Sequence, residues 1–365
     1  MLALIFLFCQ IWLSIAQESL WSSPDACNNC PALCNRSYGN ITHLGAHDSM
    51  FVANTSNSFT VSGNQFYGTD TQLDAGVRLL SGQLHTTNAT GIELRLCHTD
   101  CDLYDGGSMI KWLKDVSYWM DEHPNDVVTL LLVNSVNANS TLLGASFRAS
   151  GITKHAYVPA TKLGAKTVWP TLGEMIQAKT RLVTFISSLP DNTGAPYLLD
   201  EFSYVFENQF EVTSPNNFSC MPDRPTNLKD KVSQAQSSGR LFLMNHFLDK
   251  KQLLNIVIPD RDNAANTNSP DPDLTGSLGK ELNTCGAVYG RSPNFVLVDW
   301  FNMGPAISAI DAANGIIDPD GRTSVSTENP SKATPITYDG SAGRPRENKG
   351  VQIAMLIAVL CLVLS

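Results

Sequence analysis

Between residues 107 and 133 the chain changes its hydrophobic period, and this change limits the fold more than any other stretch. Met109, Ile110, Trp112, Leu113, Val116, Trp119 and Met120 recur at helical spacing, so 107–122 is an amphipathic helix. Pro124 and Asn125 stop it, and 127–133 is then an almost unbroken apolar run. A strand with no polar face is covered on both sides, as in a parallel sheet flanked by helices.

The alternation holds along the chain. Residues 71–76 read as a short helix leading into a strand over 77–85, and 92–96 as a third strand. Helices follow over 142–149 and 169–178, and strands over 181–186, 240–245 and 295–298, with further helices at 232–237 and 278–282. The expected fold class is α/β, a parallel sheet whose strand count approaches a closed βα barrel. At 365 residues the chain suits one such domain, and it shows neither an internal repeat nor a dividing linker. The polar stretch 51–70 is expected to cross the barrel mouth, and 259–275 to be a long surface loop. Asp260-x-Asp262 opens that loop like a calcium site, but Ala264 and Ala265 stand where a ligand and the turn glycine are needed.

Both ends read as processing signals. Residues 1–16 are almost wholly apolar, too short to span a bilayer, and close on Ser14-Ile15-Ala16, a small-x-small cleavage pattern. Residues 351–365 form an uncharged apolar tail behind the polar spacer 344–350 and the small run Gly340-Ser341-Ala342-Gly343. That order is the signature of a glycosylphosphatidylinositol attachment signal, with Gly340 or Ser341 as the attachment residue. The expected organisation is a signal peptide (1–16), a barrel (17–317), a disordered Ser/Thr/Pro-rich stalk (318–340) and a removed propeptide (341–365). A secreted protein follows, held by a lipid in the outer leaflet of the plasma membrane or in the cell wall.

Of nine cysteines, Cys9 and Cys361 fall in the removed segments. In an oxidising compartment the others should pair. The expected disulfides are Cys27–Cys34, Cys97–Cys101 and Cys220–Cys285, with Cys30 left odd. A zinc cluster of Cys27, Cys30 and Cys34 lacks a fourth ligand at the usual spacing. Sequons at Asn35, Asn40, Asn54, Asn88, Asn139 and Asn217 point to a glycosylated exterior. A net charge of -9 argues against nucleic acid as partner.

Chemistry is concentrated at strand ends. Ile41-Thr42-His43-Leu44-Gly45-Ala46 runs into His47-Asp48-Ser49, delivering a histidine, a carboxylate and a hydroxyl. His98 follows the third strand, between Cys97 and Cys101, and Asp299 follows the last. Two imidazoles at neighbouring strand ends can serve, one as base and the other as acid, because imidazole titrates near working pH. Gln83 and His85, on one face of their strand, and Asn134 and His246, at later strand ends, are candidates for substrate contact. Glu207 and Asn208 are weaker ones.

Leu44-Gly45-Ala46-His47-Asp48-Ser49, Gly76-Val77-Arg78-Leu79-Leu80, Leu96-Cys97-His98-Thr99, His123-Pro124-Asn125-Asp126-Val127-Val128 and Phe295-Val296-Leu297-Val298-Asp299 occur in that order. In this pattern the chain resembles the phosphatidylinositol-specific phospholipase C-like phosphodiesterases, most of all their secreted, lipid-anchored fungal members. The resemblance implies a TIM-type (βα)8 barrel, with room for distortion, in which His47 is general base, His98 general acid, Asp48 assists at the phosphate and Asp299 orients His47. The substrate would be an inositol phospholipid or a related phosphodiester. One departure stands out. Bacterial members carry Asp-x-Arg and the calcium-dependent animal enzymes Glu-x-Asp where this chain has Ser81 and Gln83. No cofactor is therefore expected; calcium would lack its usual ligands. Two other functions compete: a non-catalytic barrel that binds surface partners or glycans, and a wall-glycan hydrolase, which would need two carboxylates at strand ends.

Overall fold

The structure, a computed structural model, describes residues 25–86, 93–160, 164–252 and 256–332. The signal peptide, Asn88, the attachment residues Gly340 and Ser341, and the apolar tail lie outside the described residues.

Among the described residues eight strands run parallel: β1 (His43–Ala46), β2 (Leu79–Thr86), β3 (Val128–Val133), β4 (Leu182–Ile186), β5 (Leu198–Asp200), β6 (Val205–Asn208), β7 (Leu241–Asn245) and β8 (Phe295–Val298). Their order is β5-β4-β3-β2-β1-β8-β7-β6, which is the cyclic order of a barrel. Among the described residues no ladder joins β5 to β6, so the sheet is curled but open at that seam. The expected barrel is present in this distorted form. β5 and β6 escape a reading of periodicity because each offers only two apolar residues, Leu198-Leu199 and Val205-Phe206, before polar ones follow.

Alternation along each strand divides the core in two. Leu44, Ala46, Val128, Leu130, Val296 and Val298 face outward and pack with Trp112, Leu113 and Val116 of the helix Met109–Glu122. Leu79, Leu131, Phe185, Val205, Leu243, Phe295 and Leu297 fill the interior. A Cβ on Gly45 would lie 2.7 Å from the Leu297 side chain and 2.8 Å from that of Leu79. Its missing side chain therefore makes room for two interior leucines below the site.

Two expectations need correction. The third strand, Leu94–Cys97, is not a barrel strand. It pairs antiparallel with the far end of β2 and with Asp105–Ser108, so β2 extends out of the barrel into a meander. An apolar run fixes that a strand exists but not its direction. The segment 259–275 is not simply a solvated loop: it holds a helical turn, Ala264–Thr267, with Ala264, Thr267 and Asn268 buried. Further on, residues 320–328 lie against the body. The Asp320 and Thr323 amides donate to Asn29 and Asp74, Arg322 pairs with Asp311, and Asn302 Nδ2 donates to Ser326 O.

The three expected disulfides, Cys27–Cys34, Cys97–Cys101 and Cys220–Cys285, are all formed, and Cys30 is a buried free thiol. Asn35, Asn40, Asn139 and Asn217 are exposed and Asn54 is half-buried. Cys220–Cys285 closes 65 residues and ties the segment after β6 to the helix Leu278–Tyr289. Replacing both cysteines by serine is expected to cost about 4 kcal/mol of stability, from the loop entropy released to the unfolded chain. Guanidinium unfolding of the variant beside the parent measures it.

Candidate active site

The same alternation builds the site. Continuing β1 inward past His43 and Gly45 gives His47; β2 gives Ser81 and Gln83, β6 gives Glu207, and β7 gives Asn245 and Phe247. These residues, with Asp48 and His98, line one cavity of about 340 Å³ at the C-terminal ends of the strands. That end is where a βα barrel has loops free to carry chemistry.

His47 is fixed on three sides. Its Nδ1 lies 2.9 Å from Asp299 Oδ1, which also accepts a 3.0 Å bond from Asn64 Nδ2. Phe247 stacks on the imidazole, with 3.9 Å between centroids and 3° between planes. The Gln65 amide donates to the carbonyls of His47 and Val298 at 2.8 and 3.0 Å, tying the ends of β1 and β8 together. With Nδ1–H given to Asp299, neutral His47 turns Nε2 to the cavity as an acceptor.

Asp48 sits between the histidines. Its Oδ2 lies 3.7 Å from His47 Nε2 and 3.6 Å from His98 Nε2. Gln83 Nε2 donates to that same oxygen at 2.8 Å, while Gln83 Oε1 accepts the Thr99 amide at 3.1 Å. One glutamine thus joins Asp48 to the loop that carries His98. The Asp48 amide donates to Ser81 Oγ at 2.8 Å. Asp48, Thr99 and Trp300 all adopt positive φ, at 46°, 62° and 51°. Backbone held this way by non-glycine residues costs energy and concentrates at working sites.

The charges separate the two imidazoles. Burial, the largest single effect, disfavours a charged His47, but Asp48, then Asp299 by charge and hydrogen bond, then Asp249 together outweigh it and raise its pKa to about 9. Burial also dominates at His98, where Asp48 opposes it only in part, and its pKa falls below the ordinary value. One proton is therefore held between the pair, resting on His47. Burial and then the Asp299 charge push Asp249 up to about 7.

Three residues expected at the substrate are elsewhere, for reasons of register. Asn134 and His246 have even parity on strands whose odd positions face inward. Asn134 clamps its own turn through Ala138 O and N at 2.9 Å each. His246 is fully buried outside the barrel, with Nε2 2.8 Å from Thr267 O and its ring beside Phe218. His85 has the inward parity, but it falls in the meander, pairs with Arg95 and lines no part of the cavity. Arg78 is spent at the opposite end of β2: it binds Asp126 at 2.7 Å and the carbonyls of Leu73 and Val77. Glu207 and Gln83 do line the cavity. Sequence reasoning does not reach Asn64, Glu201, Arg224, Phe247 and Asp249. Of these, Phe247 and Asp249 could have been found by extending the β7 alternation two and four residues beyond Asn245.

Calcium does not fit these residues. Ser81 and Gln83 supply a hydroxyl and an amide where the carboxylates would stand, and Asp48 Oδ2 is already engaged by the Gln83 amide.

The family model described as PI-PLC X 1 matches residues 33–314. This chain belongs to the PI-PLC X domain family. The PI-PLC X domain protein is 38% identical over 291 residues to "PI-PLC X domain-containing protein 1" of Arthroderma benhamiae, covering 80% of this chain and 90% of that one. It is 35% identical over 281 residues to an "Uncharacterized secreted protein" of the same fungus, covering 76% of this chain and 60% of the relative. Among solved structures, a variant of the phosphatidylinositol-specific phospholipase C from Staphylococcus aureus superposes with a TM-score of 0.50 at 15% identity, covering 80% of this chain and 98% of that one. At that identity the match speaks for the fold alone.

Proposed function

We propose that this PI-PLC X domain protein is a phosphodiesterase with phospholipase C-like chemistry: an internal hydroxyl of its substrate, an inositol phospholipid or a related diester, attacks phosphorus and expels the other alcohol. The observation that carries this reading is the pair of imidazole Nε2 atoms, 3.7 and 3.6 Å from one oxygen of Asp48. They face one space from two sides, as attack and departure across a phosphate require.

In this reading His47 Nε2 takes the proton of the attacking hydroxyl and Asp299 stabilises the imidazolium that forms. The P–O bond to the leaving alcohol breaks as its oxygen takes the proton of His98, leaving a cyclic phosphate. Asp48 holds the proton pair in register, and Gln83 holds Asp48. The productive form has its proton on His98, although at rest it sits on His47. This minor form joins the stronger base to the stronger acid, and its share of the enzyme does not change with pH while the pair holds one proton. The rate should therefore follow a bell. It falls in acid as His98 and His47 both become charged, below the ordinary histidine value, and in base as His47 loses its proton near pH 9. A kcat/KM profile from pH 4 to 10 tests this; a flat profile over that range contradicts it.

We also place the protein outside the cell, tethered by lipid. Two features support this: the terminal signals and a relative described as secreted. No described helix is long and apolar enough to cross a membrane. Mass spectrometry of the surface protein is expected to find a chain starting near Gln17 and ending at Gly340 or Ser341 with its lipid. An intact 351–365 tail would rule this out.

A further inference from the structure

The wall of the cavity away from the histidines is built of acids. Glu201, Glu207 and Asp249 are each at most 8% exposed, and they line the cavity together with Asp48 and the exposed Glu211. Among the described residues that line the cavity, one guanidinium, Arg224, stands against these five carboxyl groups, and it is already engaged. Its Nη2 lies 2.5 Å from Glu207 Oε2, and its central carbon is 4.5 Å from the Phe210 ring centroid. Glu201 Oε1 is buried and has no hydrogen-bond partner, an acceptor left open in a residue that is 2% exposed. A buried oxygen in that state is costly unless a donor arrives with the ligand.

A phosphodiester carries one negative charge. Entering this space alone, it would meet more carboxylates than cations: among the described residues the proton shared by His47 and His98 is already set against Asp48 and Asp299, and Arg224 against Glu207, in surroundings where charges are poorly screened. The acids are also too dispersed to solve the problem with a metal. Among the described residues, no three acidic or histidine groups of the cavity bring ligand atoms within 4.8 Å of one another. A ligand with its own cation fits better.

We infer that the substrate is a zwitterionic phosphodiester, its phosphate between His47 and His98 and an ammonium group of its alcohol half against Asp249 and Glu211. This rests on the phosphodiesterase reading above and narrows it. Asp249 is suited to receive a cation. Burial and the Asp299 charge make it reluctant to ionise, and Glu211 adds to that, so an arriving ammonium relieves a repulsion already present. Burial and then Glu207, by charge and hydrogen bond, favour the protonated form of Glu201, whose Oε1 is left to accept from a polar substituent.

A matched set of diesters, given to the full mature protein, tests this inference. Lysophosphatidylethanolamine and its N-acetyl derivative share the glycerol hydroxyl, the phosphate and the breaking P–O bond. They differ in the ammonium charge. In each, the hydroxyl attacks phosphorus and gives its proton to the base, and the ethanolamine oxygen leaves with a proton from the acid. The free amine is expected to have a kcat/KM about tenfold or more above the acetylated form. Glu211→Gln, at an exposed position, and Asp249→Asn should each shrink that ratio, mainly through KM. Equal rates for the pair, a preference for the acetylated form, or turnover of lysophosphatidylinositol alone would overturn the inference and leave the phosphodiesterase reading standing. No turnover of any of the three would overturn both. The wild-type ratio decides even if Asp249→Asn fails to fold.

Discussion

His98→Ala is expected to lower diester turnover by about 10²–10⁴-fold, the usual scale for losing a positioned proton donor. The fold should survive. His98 stands on a loop fixed independently by the Cys97–Cys101 disulfide, the Thr99 amide on Gln83 and the His98 amide on Tyr104 O at 2.9 Å. The variant also separates the two roles. A 4-nitrophenyl ester leaves without needing a proton, so His98→Ala should recover most of its rate on that substrate. His47→Ala should not, because the attacking hydroxyl still needs a base. Equal recovery in both variants would mean that the two parts are wrongly assigned.

Asp299→Asn is expected to cost a comparable factor, about 10²–10⁴, with the substituted side chain close to the same size. Asparagine can offer Nδ1–H an acceptor only in one of its two orientations, and in neither does it stabilise the imidazolium by charge. The sign of the pH effect follows. Asp299 is one of the groups that raise His47 to about 9, so its neutralisation lowers that pKa and shifts the alkaline limb of the rate profile to lower pH. The acid limb, governed by His98, should move much less, since Asp48 and His47 act on it before Asp299 does. A thermal melt beside the parent separates this from loss of structure. An unshifted alkaline limb would mean that His47 is not the group titrating there.

Much of the fold was legible because its signal is periodic. The helix Met109–Glu122 and the strand Val128–Val133 carry enough apolar residues to display their periods, and the motifs at His47, His98 and Asp299 lie beside such runs. What remained hidden had no period or depended on direction. β5 and β6 have only two apolar residues each, and no apolar run shows that Leu94–Cys97 runs antiparallel to β2. The substrate candidates at Asn134 and His246 failed on parity: a strand end is not sufficient, because only every second residue faces the interior. Parity fixed by Phe295 and Leu297 on β8 and by Leu243 on β7 would have kept Asn245 and Phe247 and discarded His246. The acidic wall was harder to foresee. Glu201 and Glu207 stand at the open seam, and Arg224 reaches the cavity from an antiparallel strand, Pro222–Arg224, that no apolar run announces.

The central claim is that His47 and His98 cleave a phosphodiester, and ³¹P NMR of the reaction measures it most directly. The mature protein is incubated with phosphatidylinositol, lysophosphatidylinositol and lysophosphatidylethanolamine, with and without chelator. The account predicts the resonance of a cyclic phosphate from at least one of them, little changed by chelator and lost in His47→Ala and His98→Ala. Turnover that persists in both variants would contradict the proposed chemistry. No phosphorus product from any substrate would turn the reading toward a barrel that keeps the two histidines and binds without cutting.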